Sequence, residues 1–363
     1  MRNKKWGGAL LISGTMIGGG MLAIPQVTSP LGFFPASILS IAVWAFMYLT
    51  GRCLVEVALE QPLGDTLFSY SRRFLGKTVQ VVTACLFLFL YESLLVGYFA
   101  GGGGTLMAWG VPARWAWLLF SLPFVFVVSW KVGYADRMNR FLSIVMAGSL
   151  TIFFVSGISE LVPNRLTRLA WSPLTPALSI LFVAFGYHNI IPTVVTYLKR
   201  EREAVQWSLL WGTLFPLVIY WGWQGLVMGM DSLTGKVRGL LFLFEYAAIA
   251  TSLIGVALSV VSFLADGLGW REQSKRRWVA LFSLTPPLLM GGFSPSLFAK
   301  ALQVAGGIGE SLINGLLPVA LFYVFIKKKE GIKKHWLTHP FLLLILSAFS
   351  LVILFCEVLD LIV

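Results

Sequence analysis

Long apolar runs, separated by short segments that carry most of the charges and turn residues, dominate this sequence. A helix that crosses the roughly 30 Å hydrocarbon core of a membrane takes about 20 residues, whereas barrel strands are shorter and alternate in polarity. The runs therefore predict an all-α polytopic membrane protein with about 11 transmembrane helices, in a single transmembrane domain over residues 1–363. They lie at about 6–26, 32–54, 78–101, 112–131, 138–160, 174–198, 204–229, 243–266, 277–291, 296–326 and 341–362.

Composition narrows the class of protein further. Hydrophobic residues make up 57% of the 363 positions and charged residues 12%, whereas soluble domains carry about 25% charge. A water-soluble globule of this size could not bury so much apolar surface, which excludes a cytosolic enzyme, a secreted domain and a disordered chain. The runs and their loops use the whole length and leave no room for a soluble domain.

The positive charge is distributed in a way that predicts topology. The formal net charge is +12, but the cations lie in short loops rather than on one soluble face, which argues against a nucleic-acid partner. If the runs cross in turn from a cytoplasmic N-terminus, 22 of the 28 Lys and Arg residues fall in inside segments. The positive-inside rule therefore predicts a protein of the inner (cytoplasmic) membrane with its N-terminus inside and Val363 outside.

A weak internal repeat relates the first run to the sixth. Gly19, in a row of three glycines, lies six residues before Pro25, and Gly186 lies six residues before Pro192. Interrupted helices at matching places in two inverted halves are typical of secondary transporters, so helices 1 and 6 are predicted to be broken. The predicted inverted repeats cover about 6–160 and 174–326, and an extra helix covers about 341–362.

The three glycines of the first run suggest what such a break would do. Glycine allows a helix to open, and opened backbone inside a membrane is tolerated only around a cavity or a ligand. Free helix N-termini attract a carboxylate and free C-termini attract a cation, so the break suits a zwitterionic amino acid. Close helix–helix packing through small residues is the alternative interpretation of the same glycines.

Four segments, in order along the chain, resemble one known family. They are Gly14–Pro25, Phe185–Tyr197, Ala250–Leu258 with Leu264–Asp266, and Pro286–Pro287. These segments resemble helices 1, 6, 8 and 9 of the hydroxy and aromatic amino acid permeases, of the amino acid–polyamine–organocation superfamily, and the last three resemble its tyrosine/tryptophan branch. The resemblance implies the leucine-transporter fold, with five-plus-five inverted helices and one extra helix. It also implies uptake of an aromatic amino acid, usually with protons.

Residues around the two predicted breaks are the candidates for substrate binding. The glycine backbone should hold the carboxylate and ammonium groups, and the aromatic rings should stack on an aromatic substrate. His188 should bond a substrate phenol or carboxylate, or titrate near neutral pH, and a hydrogen-bonded structural histidine is the alternative. The predicted substrate-binding residues are Gly18, Gly19, Gly20, Tyr91, Phe185, Gly186, Tyr187, His188 and Asn189.

Two kinds of side chain are candidates for ion coupling. Glu92 and Glu310 lie nearest the middle of the membrane without a Lys or Arg at comparable depth. A carboxyl group there is protonated, faces water or meets a cation, and a protonated acid bonded to another helix is the structural alternative. Thr251 and Ser252 resemble the hydroxyl pair of a sodium site in the leucine-transporter fold, although such hydroxyls often bond their own helix. The predicted coupling ion is a proton, with sodium as the alternative.

The sequence predicts no cofactor and no metal site. The three cysteines are scattered, and His335 and His339 lack a third ligand. A multi-span enzyme would need convergent catalytic groups, and a channel would show charged rings or a repeated filter, so both are weaker interpretations.

The predicted function is therefore secondary active transport of an amino acid across the lipid bilayer by alternating access. Tyrosine is placed first as the imported substrate, with tryptophan or phenylalanine next, and the coupling is symport. A carrier for serine/threonine or branched-chain amino acids is the alternative. No obligatory protein partner is evident in the sequence.

The distribution of cations gives the first testable prediction. An alkaline phosphatase fused after Val363 should be active in a bacterial host, because an odd number of spans places that end outside. A reporter that works only in the cytoplasm should be inactive at the same point. An inactive phosphatase with an active cytoplasmic reporter would contradict the odd number of spans.

Overall fold

Helices account for nearly all of the described chain, as the apolar runs predict. The computed structural model describes residues 2–130, 132–167, 169, 174–231, 235–268, 270, 272–292, 294–328 and 336–362. Val363, at which the topology is to be tested, and His335, one of the two paired histidines, lie outside the described residues.

The helices are named here in chain order. They are α1 Arg2–Met16, α2 Gly19–Thr28, α3 Phe33–Leu59, α4 Leu67–Leu75, α5 Lys77–Ala108, α6 Ala113–Ser129, α7 Val132–Gly157, α8 Pro163–Leu166, α9 Thr175–Ala184, α10 Ile191–Tyr197, α11 Arg202–Gly229, α12 Gly235–Gly267, α13 Gln273–Gly292, α14 Leu297–Val304, α15 Leu317–Lys328 and α16 Pro340–Ile362. A π-helix, Ala305–Leu316, joins α14 to α15, and short 3₁₀ turns lie at Ile158–Glu160, His188–Ile190 and Trp336–Thr338.

Each of the eleven predicted runs coincides with one of these helical segments. Within the described residues, eight segments are long and apolar enough to cross a membrane, and α1 with α2 forms a ninth that is bent by 56°. The two remaining segments are α6, which has 17 residues, and α13, which carries three consecutive cations near its start. The polytopic helical class is confirmed, and the count of about eleven crossings stays a prediction.

Both predicted interruptions are present. The first span changes direction at Ile17 and Gly18, between α1 and α2. The sixth span loses its helical hydrogen bonding over 185–187, between α9 and the 3₁₀ turn that leads into α10. Pro192 lies in the first turn of α10, where a missing N–H costs no helical hydrogen bond. Glycine and proline therefore mark these two breaks, as their matched spacing predicts.

The two broken spans lie together at the centre of the molecule. The half-helix α2 packs against α9 and α12, α9 also packs against the π-helix, and α1 packs along α11. The long helix α5 packs on α12 and on the π-helix. The approach of α1 to α11 is close because Gly212 has no side chain, and a Cβ there would lie 2.8 Å from Ile12 Cβ. The Ser13 hydroxyl donates to the Gly212 carbonyl at 2.9 Å, which fixes the same contact.

Candidate functional site: a cavity between the two helix breaks

A cavity of about 560 Å³ lies beside both breaks. Its wall is formed by α1, α4, α5, α7, α12, the π-helix and the segment that links α9 to α10. Four aromatic rings contribute to the lining, those of Phe68, Phe87, Tyr91 and Tyr98. The polar lining residues include Thr15, Thr66, Asn139, Ser143, Asn189, Thr251, Ser252, Ser259, Glu310 and Asn314.

The cavity opens toward the face of the molecule at which the chain begins. Thr66 lies in the connection between α3 and α5, on that face, and its exposed side chain lines the cavity. Thr15, near the end of α1, is also exposed and lines the cavity, whereas Gly18–Gly20 just beyond it are buried. The cavity therefore has an entrance on one side of the breaks, while the packing of α2 on α9 closes the other side.

The first break is closed against α12 by a serine. The Gly19 N–H donates to Ser252 Oγ at 2.8 Å, which satisfies a donor that the helix break releases. A Cβ added at Gly18 would overlap this hydroxyl, and a Cβ at Gly19 would lie 2.8 Å from Tyr98 Cε1. Only residues without a side chain permit this approach, so the glycines serve both the break and its packing.

A single tyrosine of α11 joins the two breaks. The Tyr220 hydroxyl lies 2.7 Å from the carbonyl oxygen of Met16, at the end of α1. It also lies 2.8 Å from the carbonyl oxygen of Ala184, at the end of α9. Tyr220 is 1% exposed, so this contact is buried between the two breaks. The single hydrogen of this hydroxyl can be donated to either carbonyl, so Tyr220 bridges the ends of both half-helices by a shared or alternating hydrogen bond.

The second break is faced by a carboxyl group. Glu310, in the π-helix, is 5% exposed and lines the cavity. A Cβ added at Gly186 would lie 2.7 Å from Glu310 Oε1, so the carboxyl group packs directly on the opened backbone. The Asn314 amide donates to Glu310 Oε2 from one turn further along. Glu310 has no ion-pair partner among the described residues.

One face of the cavity combines a polar contact with stacked rings. The Asn189 amide, in the 3₁₀ turn of the sixth span, donates to Tyr91 Oη at 2.7 Å. The Tyr91 ring stacks on Phe87 with a centroid separation of 4.1 Å, and the ring of Phe87 lies 5.3 Å from that of Phe68 on α4. Aromatic surface therefore runs from the second break toward the entrance of the cavity.

Six of the nine predicted substrate residues lie outside the cavity lining. The Tyr187 hydroxyl donates to the Met47 carbonyl at 2.9 Å, and His188 Nε2 lies 2.9 Å from Thr50 Oγ1, so both side chains face α3. Phe185 packs on Tyr220, with ring centroids 5.1 Å apart. Gly18–Gly20 border the cavity through Ser252 but do not line it. Of the predicted substrate residues, Tyr91, Gly186 and Asn189 line the cavity.

Three of the four candidates for ion coupling line the cavity, and the fourth does not. Glu310, Thr251 and Ser252 line the cavity, and Glu92 does not. Thr251 Oγ1 donates to the Ala248 carbonyl of its own helix at 3.1 Å, and Ser252 Oγ accepts the Gly19 N–H. Sequence reasoning missed Phe87, Tyr98 and Tyr220, because an aromatic residue within an apolar run gives no signal of the helix that it faces.

The sequence pattern of the "Tryptophan/tyrosine permease family" matches residues 1–235 and 234–357. A tryptophan-specific transport protein of Pseudomonas aeruginosa is 28% identical, over 83% of this chain and 81% of the relative. Tyrosine-specific transport system 1 of Haemophilus influenzae is 28% identical, over 88% of each chain. A relative from Aliivibrio fischeri, 26% identical over 93% of each chain, is named glutamine transporter 2.

A solved structure supports the fold. The crystal structure of MhsT in complex with L-phenylalanine superposes with a TM-score of 0.60, at 15% identity, over 97% of each chain. The chain therefore has the leucine-transporter fold that the resemblance implies. Together with the relatives, this fold establishes a multi-span amino acid transport protein of the membrane rather than an enzyme.

The link through Tyr220 gives a prediction. Tyr220→Phe should destabilise the protein by about 1–3 kcal/mol, because it removes the one hydrogen that the two buried carbonyl groups share. The apparent unfolding temperature of the purified protein in detergent should fall, and transport should slow. Tyr323→Phe is the control, because Tyr323 is half-exposed and its ring packs under Lys327 with or without a hydroxyl. A Tyr220→Phe protein with unchanged stability and transport would show that the link is dispensable.

Proposed function

The chain belongs to the tryptophan/tyrosine permease family, and we propose that it imports aromatic amino acids across the inner membrane by proton symport. Tyrosine is the first candidate substrate, followed by tryptophan and phenylalanine. The observation that carries the proposal is the combination, in one cavity, of aromatic lining with two opened helices.

The dimensions and chemistry of the cavity support an amino acid as substrate. Its volume of about 560 Å³ lies within the range of small-molecule sites. Beyond the groups that Ser252 and Tyr220 already bind, the partial charges of the half-helix ends favour a carboxylate near the start of α2 and an ammonium near the end of α1. In the proposed pose, the backbone of the substrate faces the Gly18–Gly20 break, and its side chain points toward Tyr91 and Asn189.

Aromatic specificity is supported by the stacked rings. Phe87 and Tyr91 line the same wall as a stacked pair, with Phe68 beside them. Aromatic pairs contribute about 0.5–1.5 kcal/mol beyond the area that they bury, so these rings favour an aromatic side chain over an aliphatic one. The Asn189 amide and the Tyr91 hydroxyl offer hydrogen-bond partners to a phenol or an indole N–H.

A polar amide is the second candidate for the substrate side chain. Asn139, Asn189 and Asn314 line the cavity, and side-chain amides pair well with another amide. The name of the Aliivibrio fischeri relative points in the same direction. Glutamine therefore belongs in every competition panel beside the aromatic amino acids.

Glu310 is the proposed proton carrier. An ionised carboxylate buried against Gly186, with an amide as its hydrogen-bond donor, carries a large desolvation cost, and protonation removes it. The neutral form therefore favours the observed contact between the π-helix and the sixth-span break. Loss of the proton into the open cavity would weaken that contact, which couples proton release to movement at the break.

The hydroxyls of α12 favour a proton over sodium as the coupling ion. Ser252 Oγ already accepts the Gly19 N–H, so a partial positive charge occupies the side of the oxygen that faces the first break. Thr251 donates to the Ala248 carbonyl, which holds its hydroxyl against its own helix. A sodium ion there would have to displace the N–H donor of the first span.

Substitution of Phe87 tests the substrate class. Phe87→Leu should weaken competition by tyrosine, tryptophan and phenylalanine about two- to tenfold, because it removes one aromatic contact. Competition by glutamine or leucine should change less. Phe74→Leu is the matched control, because Phe74 lies on α4 but packs on Phe325 rather than in the cavity. Unchanged aromatic competition, or stronger competition by glutamine than by tyrosine in the unaltered carrier, would contradict aromatic selectivity.

Proteoliposome uptake tests the coupling. Labelled tyrosine should accumulate under an imposed proton gradient and not under a sodium gradient. Glu310→Gln should abolish this accumulation while tyrosine exchange across the membrane persists, because the amide keeps the shape but cannot release a proton. Glu92→Gln, whose side chain lies outside the cavity, should accumulate tyrosine normally.

The same assay has clear contrary outcomes. Uptake by the unaltered carrier that depends only on the sodium gradient would reject proton symport. Normal proton-driven accumulation by Glu310→Gln would remove Glu310 from the mechanism and leave the family assignment intact.

A further inference from the structure

A second buried carboxyl group lies outside the cavity, on the extra helix α16. Glu357 is 0% exposed and does not line the cavity. The Ser179 hydroxyl of α9 donates to Glu357 Oε2 at 2.8 Å, and the Gln303 amide of α14 donates to the same oxygen at 3.3 Å. The carboxyl group therefore joins the first half of the broken sixth span to the tenth and eleventh spans.

The surrounding backbone is shaped to admit this side chain. A Cβ added at Gly307, in the π-helix, would overlap the side chain of Glu357. A Cβ added at the preceding Gly306 would overlap the carbonyl group of Ser179. An apolar side chain at position 357 would fill such a space without desolvating a polar group. A carboxyl group at this place therefore calls for a role that a packed hydrocarbon would not fulfil.

One of the two carboxyl oxygens of Glu357 lacks a hydrogen-bond donor within the described part of the chain, which matters most when the group is ionised. Glu357 Oε1 is buried and has no hydrogen-bond partner among the described residues. Ionised, the group would hold negative charge on an oxygen without a donor, and binding a proton neutralises that charge. The charged residues that face Glu357 are Asp360, on its own helix, and Lys300, on α14. Asp360 adds to the negative charge around Glu357, and Lys300 partly offsets it.

The cluster has a connection to the protein surface. The Gln303 amide that donates to Glu357 also donates to Asp360 Oδ2 at 3.2 Å, and Asp360 is exposed. Asp360 lies near the end of α16, on the face opposite to the entrance of the cavity. A chain of hydrogen bonds thus runs inward from that face, from the exposed Asp360 through the Gln303 amide to the buried Glu357.

The cluster also has a connection to the sixth-span break. Ser179 lies within α9 and donates to Glu357 of α16. Gly186 lies just after α9 and contacts Glu310 of the π-helix. Glu310 packs on Gly186 at the cavity, while Gly307, three residues earlier, packs on Glu357. One carboxyl group therefore contacts α9 in its middle, and a second contacts the chain just beyond its end.

We propose that Glu357 is a second proton-binding site of the carrier, loaded from the face that bears Asp360 and separate from the cavity. A hydronium ion at that face supplies the proton, and the Glu357 carboxylate accepts it. The ionised group holds Ser179, and with it α9, against α16, because a carboxylate accepts the Ser179 hydrogen bond strongly, and protonation weakens this contact. This inference rests on the proposed proton symport and adds a site to it.

The test uses the full chain in proteoliposomes, with labelled tyrosine as the probe. The initial rate of uptake is measured as the pH on the Asp360 side is lowered, and tyrosine exchange is measured at equal pH on both sides. Glu357→Gln should retain exchange, because the amide oxygen still accepts from Ser179, and should lose the stimulation of uptake by acid. Glu92→Gln, a membrane carboxyl group outside the cluster, should keep the stimulation.

A second variant covers the case in which Glu357→Gln does not fold. Asp360→Asn changes an exposed side chain, and it should shift the acid stimulation to lower pH, because the negative charge that attracts the proton is gone. An unshifted response in Asp360→Asn would overturn the loading route.

The outcomes separate this inference from the proposed function. An unaltered carrier without proton-driven tyrosine uptake would reject the symport itself. An unaltered carrier with proton-driven uptake, whose acid response is the same in Glu357→Gln, would overturn only the second site. In that case, loss of exchange in Glu357→Leu would assign the cluster to packing.

Discussion

Backbone groups released inside a membrane need partners, and this constraint organises the centre of the molecule. Two spans are broken, and each break frees buried carbonyl and N–H groups that need hydrogen-bond partners within the protein. The Tyr220 hydroxyl lies within hydrogen-bond distance of the last carbonyl groups of α1 and α9. Ser252 accepts a hydrogen bond from the Gly19 N–H at the first break. The breaks are thereby tied to α11 and α12, so the scaffold is specified by hydrogen-bond partners as well as by apolar packing.

The second determinant is the placement of carboxyl groups on glycine. Glu310 contacts Gly186, and Glu357 contacts Gly307, so each buried acid occupies the space that a side chain would otherwise fill. The π-helix takes part in both contacts, and π-helical turns occur often at functional sites. The direct hydrogen-bond donors to both acids are amides and a hydroxyl. Their charge is consequently sensitive to movement of the helices that supply those donors.

The sequence predicts the spans and the breaks well, because apolar length and the spacing of glycine and proline are local properties. Position along the chain also brings Tyr91, Asn189 and Glu310 to the cavity beside the second break. The position of a residue in the sequence does not, however, predict which helix its side chain faces. In the opened sixth span, Gly186 faces the cavity while the next two side chains face α3. Tyr220 and Glu357 find their partners 36 to 204 residues away, a pairing that no local pattern reveals.

The π-helix has a consequence for how the carrier changes shape. A segment bonded from i to i+5 advances through a smaller angle per residue than one bonded from i to i+4. Ala305–Leu316 therefore sets the rotation of α15 relative to α14 about the axis of their common span. Rewinding the turn before Glu310 into α-helix would rotate Glu310 about the helix axis relative to α14. A carboxyl group can in this way be turned toward or away from the break by exchanging hydrogen bonds within one span, without tilting the whole helix in the membrane.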